Sequence, residues 1–105
     1  MEVIKMIKHV VMWEFKDQAA GNSKEENIEL AAEKLQSLKD LVEQIKFLEV
    51  GKNINQSEAA YELVLITEFE SLSDLEQYQI HPEHEKVKAF IGETAAKRVL
   101  VDYEK

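Results

Sequence analysis

The chain of 105 residues carries 13 Lys plus Arg against 21 Asp plus Glu, for a formal net charge of −8, and it contains no cysteine. This length predicts one domain spanning residues 1–105, and a hydrophobic content of 45% with 32% charged residues is typical of a folded globular protein. The absence of cysteine excludes disulfides, thiolate catalysis and cysteine-based metal sites, and the acidic balance without basic clusters argues against nucleic-acid binding.

The start of the chain does not resemble a secretory leader. Its longest apolar run covers residues 10–13, which is shorter than the hydrophobic core that such a leader needs. No stretch approaches the roughly 20 apolar residues of a transmembrane helix. We therefore expect no membrane partner and a cytoplasmic location.

The first strand and the first helix are predicted from residues 6–15 and from a capping signal. The apolar residues of the strand merge at its centre into a continuous run, which indicates a strand that is covered on both faces. Ser23, followed three residues later by Glu26, predicts a capping box that opens a helix ending near residues 39–41. One apolar stripe follows this helix at spacings of three and four: Ile28, Ala31, Ala32, Leu35, Leu38 and Val42.

Two further strands are predicted at residues 44–50 and 60–69, with the polar loop 52–58 between them. The earlier strand is expected to end at Gly51. The later one has an unbroken apolar centre at residues 63–66 and therefore also indicates cover on both faces.

A pair of short helices is predicted after these strands. Ser71 or Ser73 caps the first of them, and Ser73 is spaced from Glu76 as in a second capping box. Pro82 interrupts this helix and starts a new one, which Gly92 is expected to end. The inner face of the earlier helix is predicted to consist of Leu72, Leu75 and Tyr78.

A final strand at residues 97–103 completes the order strand, helix, strand, strand, helix pair, strand. That order predicts an α+β fold, a ferredoxin-like four-stranded antiparallel sheet with its helices on one face. The opposite face would then be apolar and larger than soluble monomers usually expose, so we expect a homodimer through the sheet face. The alternative is that strand centres are simply apolar in a small domain of this class.

Several segments together resemble the stress-responsive A/B barrel domain family, also called Dabb, along nearly the whole chain. They are residues 8–17, 49–53 and 69–75, the motif Tyr-x-x-His-Pro-x-His at 78–84, and Val-Asp-Tyr at 101–103. The resemblance implies a dimeric α/β barrel in which two sheets face each other with the helices outside. It does not fix an activity, because the family includes stress proteins without a settled enzymatic role as well as polyketide cyclases.

His84 is the leading catalytic candidate, because the imidazole pKa near neutrality suits a general base. In the cyclases of the family, the matching histidine resembles a base that removes a proton beside a carbonyl, and the tyrosine matching Tyr78 holds the substrate oxygen. His9 is a third candidate, since period-two counting places it on the same strand face as Val11 and Trp13. The alternative for each is a structural role as a buried, hydrogen-bonded residue.

A second set of residues is predicted to bind a flat, largely apolar ligand: Trp13, Phe15, Tyr61, His81 and Phe90. The alternatives are that the aromatic residues form plain core and that His81 caps the helix that begins at Pro82. No metal site is predicted, because His81 and His84 lack the i, i+4 spacing of helical zinc ligands. Arg98 and Asp102 share a face of the last strand and are expected to pair across strands or subunits.

Three functional hypotheses follow. The first is a homodimer that binds a small apolar or polyketide-like molecule, with cofactor-free acid–base chemistry. The second is a structural or stress-protective dimer with no catalysis. The third, a cofactor-independent monooxygenase-like enzyme, rests on fold analogy. Leu63 and the alanines of the first helix place aliphatic groups where a cyclase would be expected to offer polar contacts, so the same reaction on the same substrate is not expected.

Overall fold

The structure, a computed structural model, describes residues 5–105, so the first four residues of the predicted domain lie outside it. Four strands form one antiparallel sheet in the order β4-β5-β1-β6, and β2 and β3 form a separate small hairpin. The predicted four-stranded antiparallel sheet is therefore confirmed. The elements follow in the order β1 (Ile7–Phe15), β2 (Gln18–Ala19), β3 (Asn22–Ser23), α1 (Lys24–Leu41), β4 (Phe47–Lys52), β5 (Leu63–Phe69), α2 (Leu72–Gln79), α3 (Pro82–Thr94) and β6 (Ala95–Glu104).

Period-two alternation separates the two faces of the sheet. The odd-numbered residues of β1, among them His9, Val11 and Trp13, are buried in the core that the helices also form. The even-numbered Val10 and Met12 lie on the opposite face and are partly or largely exposed. β5 alternates in the same way. The continuous apolar runs in the sequence thus arise because both faces of the sheet are apolar. The helices of one chain cover only one of these faces.

The start of α1 follows the sequence prediction. The Ser23 hydroxyl accepts the N–H of Glu26 at 3.2 Å, and the Glu26 carboxylate accepts the N–H of Ser23 at 3.0 Å, so the capping box is confirmed. The helix ends at Leu41, within the predicted range. Its apolar stripe packs into the core through Ala31, Leu35, Leu38 and Val42.

A hairpin that the sequence did not predict precedes α1. Ala20 and Gly21 form its turn with φ values of 53° and 76°, and positive φ at both central residues favours a tight hairpin. Asn27 of α1 is fully buried and ties the helix to this hairpin. Its amide donates to the Ala19 carbonyl at 3.0 Å, and its Oδ1 accepts from the Asn22 amide at 3.2 Å.

Two glycines do not end the elements that were predicted to stop at them. Gly51 lies within β4 and pairs with Val64 of β5, whose Cγ1 would lie only 3.0 Å from an added Cβ. Gly92 lies within α3, which continues to Thr94. Ile91 and Thr94 are buried, so packing holds the last turn of the helix in place despite the glycine.

The sequence offered Ser71 or Ser73 as the cap of α2, and the structure has only one of them in this place. Ser71 is the N-cap, because its hydroxyl accepts the N–H of Asp74 at 3.1 Å, and the second capping box predicted from Ser73 is therefore wrong. Leu72 lies in the first turn of α2 and is 60% exposed rather than on the inner face. Tyr78, at the other end of this short helix, is buried as predicted. None of the helices in residues 5–105 is long and apolar enough to cross a membrane.

Candidate active site

A cavity of about 580 Å³ lies between the helix-covered face of the sheet and helices α2 and α3, beside the edge strand β6. Its volume falls in the range of small-molecule sites, which is about 300–1,000 Å³. Apolar side chains of β1, β5, α1, α3 and β6 form part of its walls. The polar residues that line it are His9, Tyr78, Gln79, His84, Lys88, Lys97 and Arg98.

His9 lies on the central strand β1, directly opposite Asp102 of the edge strand β6. The imidazole is 3% exposed, and its Nδ1 bonds to the Asp102 carboxylate. Because a carboxylate accepts, Nδ1 carries the proton, and this bond fixes the orientation of the ring. Within one chain, Asp102 therefore pairs with His9 rather than with Arg98.

Tyr78 is fully buried, with its ring centroid 5.1 Å from that of Phe69 and 6.2 Å from that of His9. Its hydroxyl has no hydrogen-bond partner among residues 5–105. Burial raises the pKa of Tyr78 well above its ordinary value, and the charge of Arg98 opposes this only in part, so the phenol stays protonated at neutral pH. A buried hydroxyl without a partner costs about 1–3 kcal/mol, so an oxygen of a ligand would be stabilised beside it.

The helix break at Pro82 brings His84 against Tyr78. Pro82 occupies the first turn of α3 and His81 is its N-cap, as the sequence predicted among its alternatives. The change of direction places the His84 ring centroid 4.3 Å from that of Tyr78. Two residues six positions apart along the chain thus share one wall of the cavity.

The proton position on His84 follows from its hydrogen bond. Nδ1 lies 3.1 Å from the carbonyl oxygen of Gln79, and a carbonyl can only accept, so Nδ1 donates and Nε2 is the basic atom of the ring. Burial lowers the pKa of His84, which the bond to Gln79 offsets only in part and the nearby charge of Lys88 reinforces. His84 is therefore neutral at pH 7 and available as a base.

The structure brings His9, Trp13, Tyr78 and His84 together at this cavity. Their side chains come from the centre of the sheet and from the two helices on either side of the break. The arrangement combines a basic imidazole nitrogen, a phenol that can donate, and a second imidazole held by a carboxylate. These groups can exchange protons with a bound molecule.

The other predicted ligand-binding residues lie outside the lining of the cavity. Phe15 is core at the end of β1, and Tyr61 is half-buried in the segment before β5. Phe90 lies under Lys34, whose Nζ is 5.1 Å from the ring centroid. His81 uses Nδ1 to accept a backbone N–H of α3 at 3.1 Å, so its side chain serves as a helix cap.

The sequence model of the stress responsive A/B barrel domain, Dabb, matches residues 7–105. The chain belongs to this family. The opening strand, the Tyr-x-x-His-Pro-x-His motif and the closing strand all lie within the matched range. No curated protein matches the chain in sequence at a significant level.

Solved structures support the same fold for this Dabb chain. It is similar to a dimeric protein of unknown function and ferredoxin-like fold from Bacteroides fragilis, with 32% identity over 95% of this chain and 96% of that one and a TM-score of 0.85. A dimeric ferredoxin-like protein of unknown function from Thermobifida fusca is 20% identical over 96% and 92%, with a TM-score of 0.82. The hydroxynitrile lyase from Passiflora edulis is 17% identical over 98% and 95%, with a TM-score of 0.81. The last two likenesses show the fold alone.

Sequence reasoning missed two cations of the cavity in this Dabb chain, Arg98 and Lys88. The spacing of each residue in the sequence indicates which face of its strand or helix it occupies. Arg98 is four residues before Asp102 and so shares the strand face that meets His9, and Lys88 follows His84 by one helical turn. The sequence does not show that this face of β6 and this face of α3 border the same cavity.

We expect Tyr78→Phe to leave the free energy of unfolding unchanged within about 1 kcal/mol or to raise it, because the hydroxyl that it removes has no partner within the described residues. Urea unfolding followed by circular dichroism measures this. Thr94→Val is the matched control, since it removes a buried hydroxyl that does donate, to the Phe90 carbonyl at 3.0 Å, and should cost about 1 kcal/mol. A loss from Tyr78→Phe equal to that of the control would contradict the prediction.

We expect the stability of the protein to depend on pH through His84. The unfolded chain protonates this imidazole near its ordinary pKa of 6.5, whereas burial lowers the pKa in the folded state. The stability that neutral His84 contributes is thus present above the unfolded pKa and is lost as the pH falls from there through the folded value. His84→Gln should therefore lose less stability than the unsubstituted protein between about pH 7.5 and about pH 5.5. Equal losses in urea unfolding would refute this.

Proposed function

We propose that this Dabb protein binds a small, largely apolar molecule in the cavity and performs cofactor-free acid–base chemistry on it. The observation that carries the proposal is the buried hydroxyl of Tyr78, which has no hydrogen-bond partner within residues 5–105 and belongs to a ring beside His84, whose Nε2 is basic. A structural tyrosine would be expected to bond its hydroxyl to the protein when buried. Tyr78 also lines the cavity, so a ligand that displaces its near neighbours could supply the missing acceptor.

The reaction that these groups suit is removal of a proton from a carbon beside a carbonyl. The C–H bond breaks, its proton goes to Nε2 of His84, and its electron pair forms an enolate. The Tyr78 hydroxyl donates to the enolate oxygen, where charge develops, and a donor already in place there costs no reorganisation. His9, held by Asp102, is a second proton-exchanging group at the same cavity.

A titration by two-dimensional NMR tests binding. The probes are phenolic acids, acyl thioesters and short β-ketoacyl compounds, and the signals followed are the side chains of His9, Tyr78 and His84. We expect saturable shifts that converge on these three residues. Fixed signals up to millimolar probe, with the protein still folded, would refute the proposal for these compounds and favour the structural or stress-protective alternative.

Exchange of α-protons for deuterium tests the chemistry. In D₂O, a bound β-ketoacyl compound should exchange faster with the protein than without it, and His84→Gln should reduce that acceleration by a factor of about 100 or more. His81→Asn is the matched control, because it changes a histidine of the same motif that lies outside the cavity and Asn preserves a helix cap. An equal loss in both variants would mean that His84 serves the fold.

The outer sheet face, defined as the side of the sheet away from the helices, supports a second part of the proposal. We propose that it joins two copies of the chain into a homodimer, and the similar proteins from Bacteroides fragilis and Thermobifida fusca are dimeric. The strand registers place its apolar residues side by side: Val10, Met12, Val64, Ile66, Val99 and Val101. Met12, Val99 and Val101 are 39%, 39% and 57% exposed, which is costly for neighbouring apolar side chains in water.

The dimensions of the chain also favour a partner. Its radius of gyration is 14.3 Å, whereas about 13 Å is typical of a compact domain of roughly 100 residues. The difference agrees with a sheet that has helices on one side only. A second sheet against the outer face would bury the exposed valines and complete the missing layer.

Light scattering after size exclusion should give twice the chain mass of 12.1 kDa. Val101→Glu should shift the protein to the monomer, since it places a charge beside Val10 among the apolar residues of the outer sheet face. Leu72→Glu is the control, because Leu72 is similarly exposed but lies on α2, and it should leave the dimer intact. A monomer at micromolar concentration of the unsubstituted protein would contradict the dimer.

A further inference from the structure

Arg98 has an unusual position for the single arginine of an acidic chain. It lies on the edge strand β6, directly opposite Trp13 of β1, so both side chains are on the helix-covered face of the sheet and line the cavity. β6 has no further strand beside it within residues 5–105, and Arg98 is exposed. Arg98 thus lies at the open margin of the cavity.

Two cations line the cavity through their side chains, Lys88 and Arg98. Lys97 also borders it, but this residue lies opposite Glu14, so its side chain is on the outer sheet face. Among the described lining residues there is no Asp or Glu, although the whole chain has 21 acidic residues and a net charge of −8. Lys88 and Lys97 have carboxylate partners outside the lining, Glu85 at 3.3 Å and Glu14 at 3.9 Å.

Arg98 differs from these two lysines. No carboxylate within the described part of the chain lies within 4.0 Å of it. Of the two acids that share its strand face, Asp102 is bound to His9, and Glu104 lies 3.8 Å from Lys5 Nζ. A guanidinium presents a planar fork of donors that matches a carboxylate in a bidentate pair. Among residues 5–105 of one chain, no carboxylate occupies this fork.

The deeper wall of the cavity adds further donors. The indole Nε1 of Trp13 and the hydroxyl of Tyr78 are buried without a partner in the described residues. Indole N–H can only donate, and the phenol can donate. Both residues line the cavity, so these buried donors lie next to it and favour a ligand with acceptor oxygens, while Arg98 favours one with negative charge.

From this geometry we infer that the ligand of the cavity carries a carboxylate, and that Arg98 binds it while the apolar part of the ligand lies against Val11 and Leu65. The inference rests on the proposed function, since it specifies the ligand of the same cavity. It holds whether or not the outer sheet face is covered, because Arg98 is on the opposite face of β6 from Val99 and Val101. The carboxylate lies at the margin of the cavity, where it keeps part of its hydration.

Octanoate and 1-octanol test the inference, since they share one alkyl chain and differ in charge. In titration calorimetry on the full chain, octanoate should bind at least about tenfold more tightly than 1-octanol, as expected for a charge-assisted pair. Arg98→Gln should abolish this difference by weakening octanoate alone. Arg98→Lys should restore part of it, because it keeps the charge and loses the fork. Added salt should weaken octanoate more than 1-octanol.

Two controls define the outcome. Lys86→Gln removes a cation of α3 that is outside the cavity lining, and it should leave both affinities unchanged. The fluorescence of Trp13, the single tryptophan, should change saturably with octanoate and so locate the ligand in the cavity. Equal binding of the two probes, or an octanoate affinity unaffected by Arg98→Gln, would overturn the carboxylate inference and leave the proposed cavity function standing. Binding of neither probe would overturn both.

Discussion

The antiparallel pairing of β1 with β6 is the interaction on which both the sheet and the cavity depend. Its register sets Asp102 opposite His9 and Arg98 opposite Trp13. β1 lies inside the sheet, so His9 is buried, whereas β6 is an edge strand, so its residues remain exposed beside the cavity. A shift of β6 by one residue would turn Arg98 and Asp102 to the outer sheet face. The places of these two residues at the cavity therefore depend on the register.

The break between α2 and α3 gives two histidines of one short motif different roles. His81 accepts the backbone N–H of Glu83 in the first turn of α3, where this N–H has no acceptor within the helix. His84 is turned toward Tyr78 and bonds to a carbonyl at the end of α2, which fixes its tautomer. Pro82 makes the division possible, because it stops one helix and is compatible with the first turn of the next.

Charge is separated between the surface and the cavity. The chain as a whole is acidic, yet Lys88 and Arg98 line the cavity. Lys88 has Glu85 as a partner, whereas no carboxylate of the described residues lies within 4.0 Å of Arg98. At physiological ionic strength, screening acts over about 8 Å, so a ligand close to Arg98 meets its charge more than that of distant acids. Trp13 and Tyr78 extend the same donor character into the buried part of the wall.

The sequence by itself determined the order of the three helices and the four strands of the main sheet, the cap of α1 and the strand face of His9, because these depend on near neighbours in the chain. It did not predict the small hairpin of β2 and β3. It misplaced the ends at Gly51 and Gly92, since strand pairing and buried neighbours outweigh the local preference of glycine. Only the tertiary structure decided which polar groups meet. His9 and Asp102 are 93 residues apart, and the register that joins them depends on how whole strands align rather than on any local pattern.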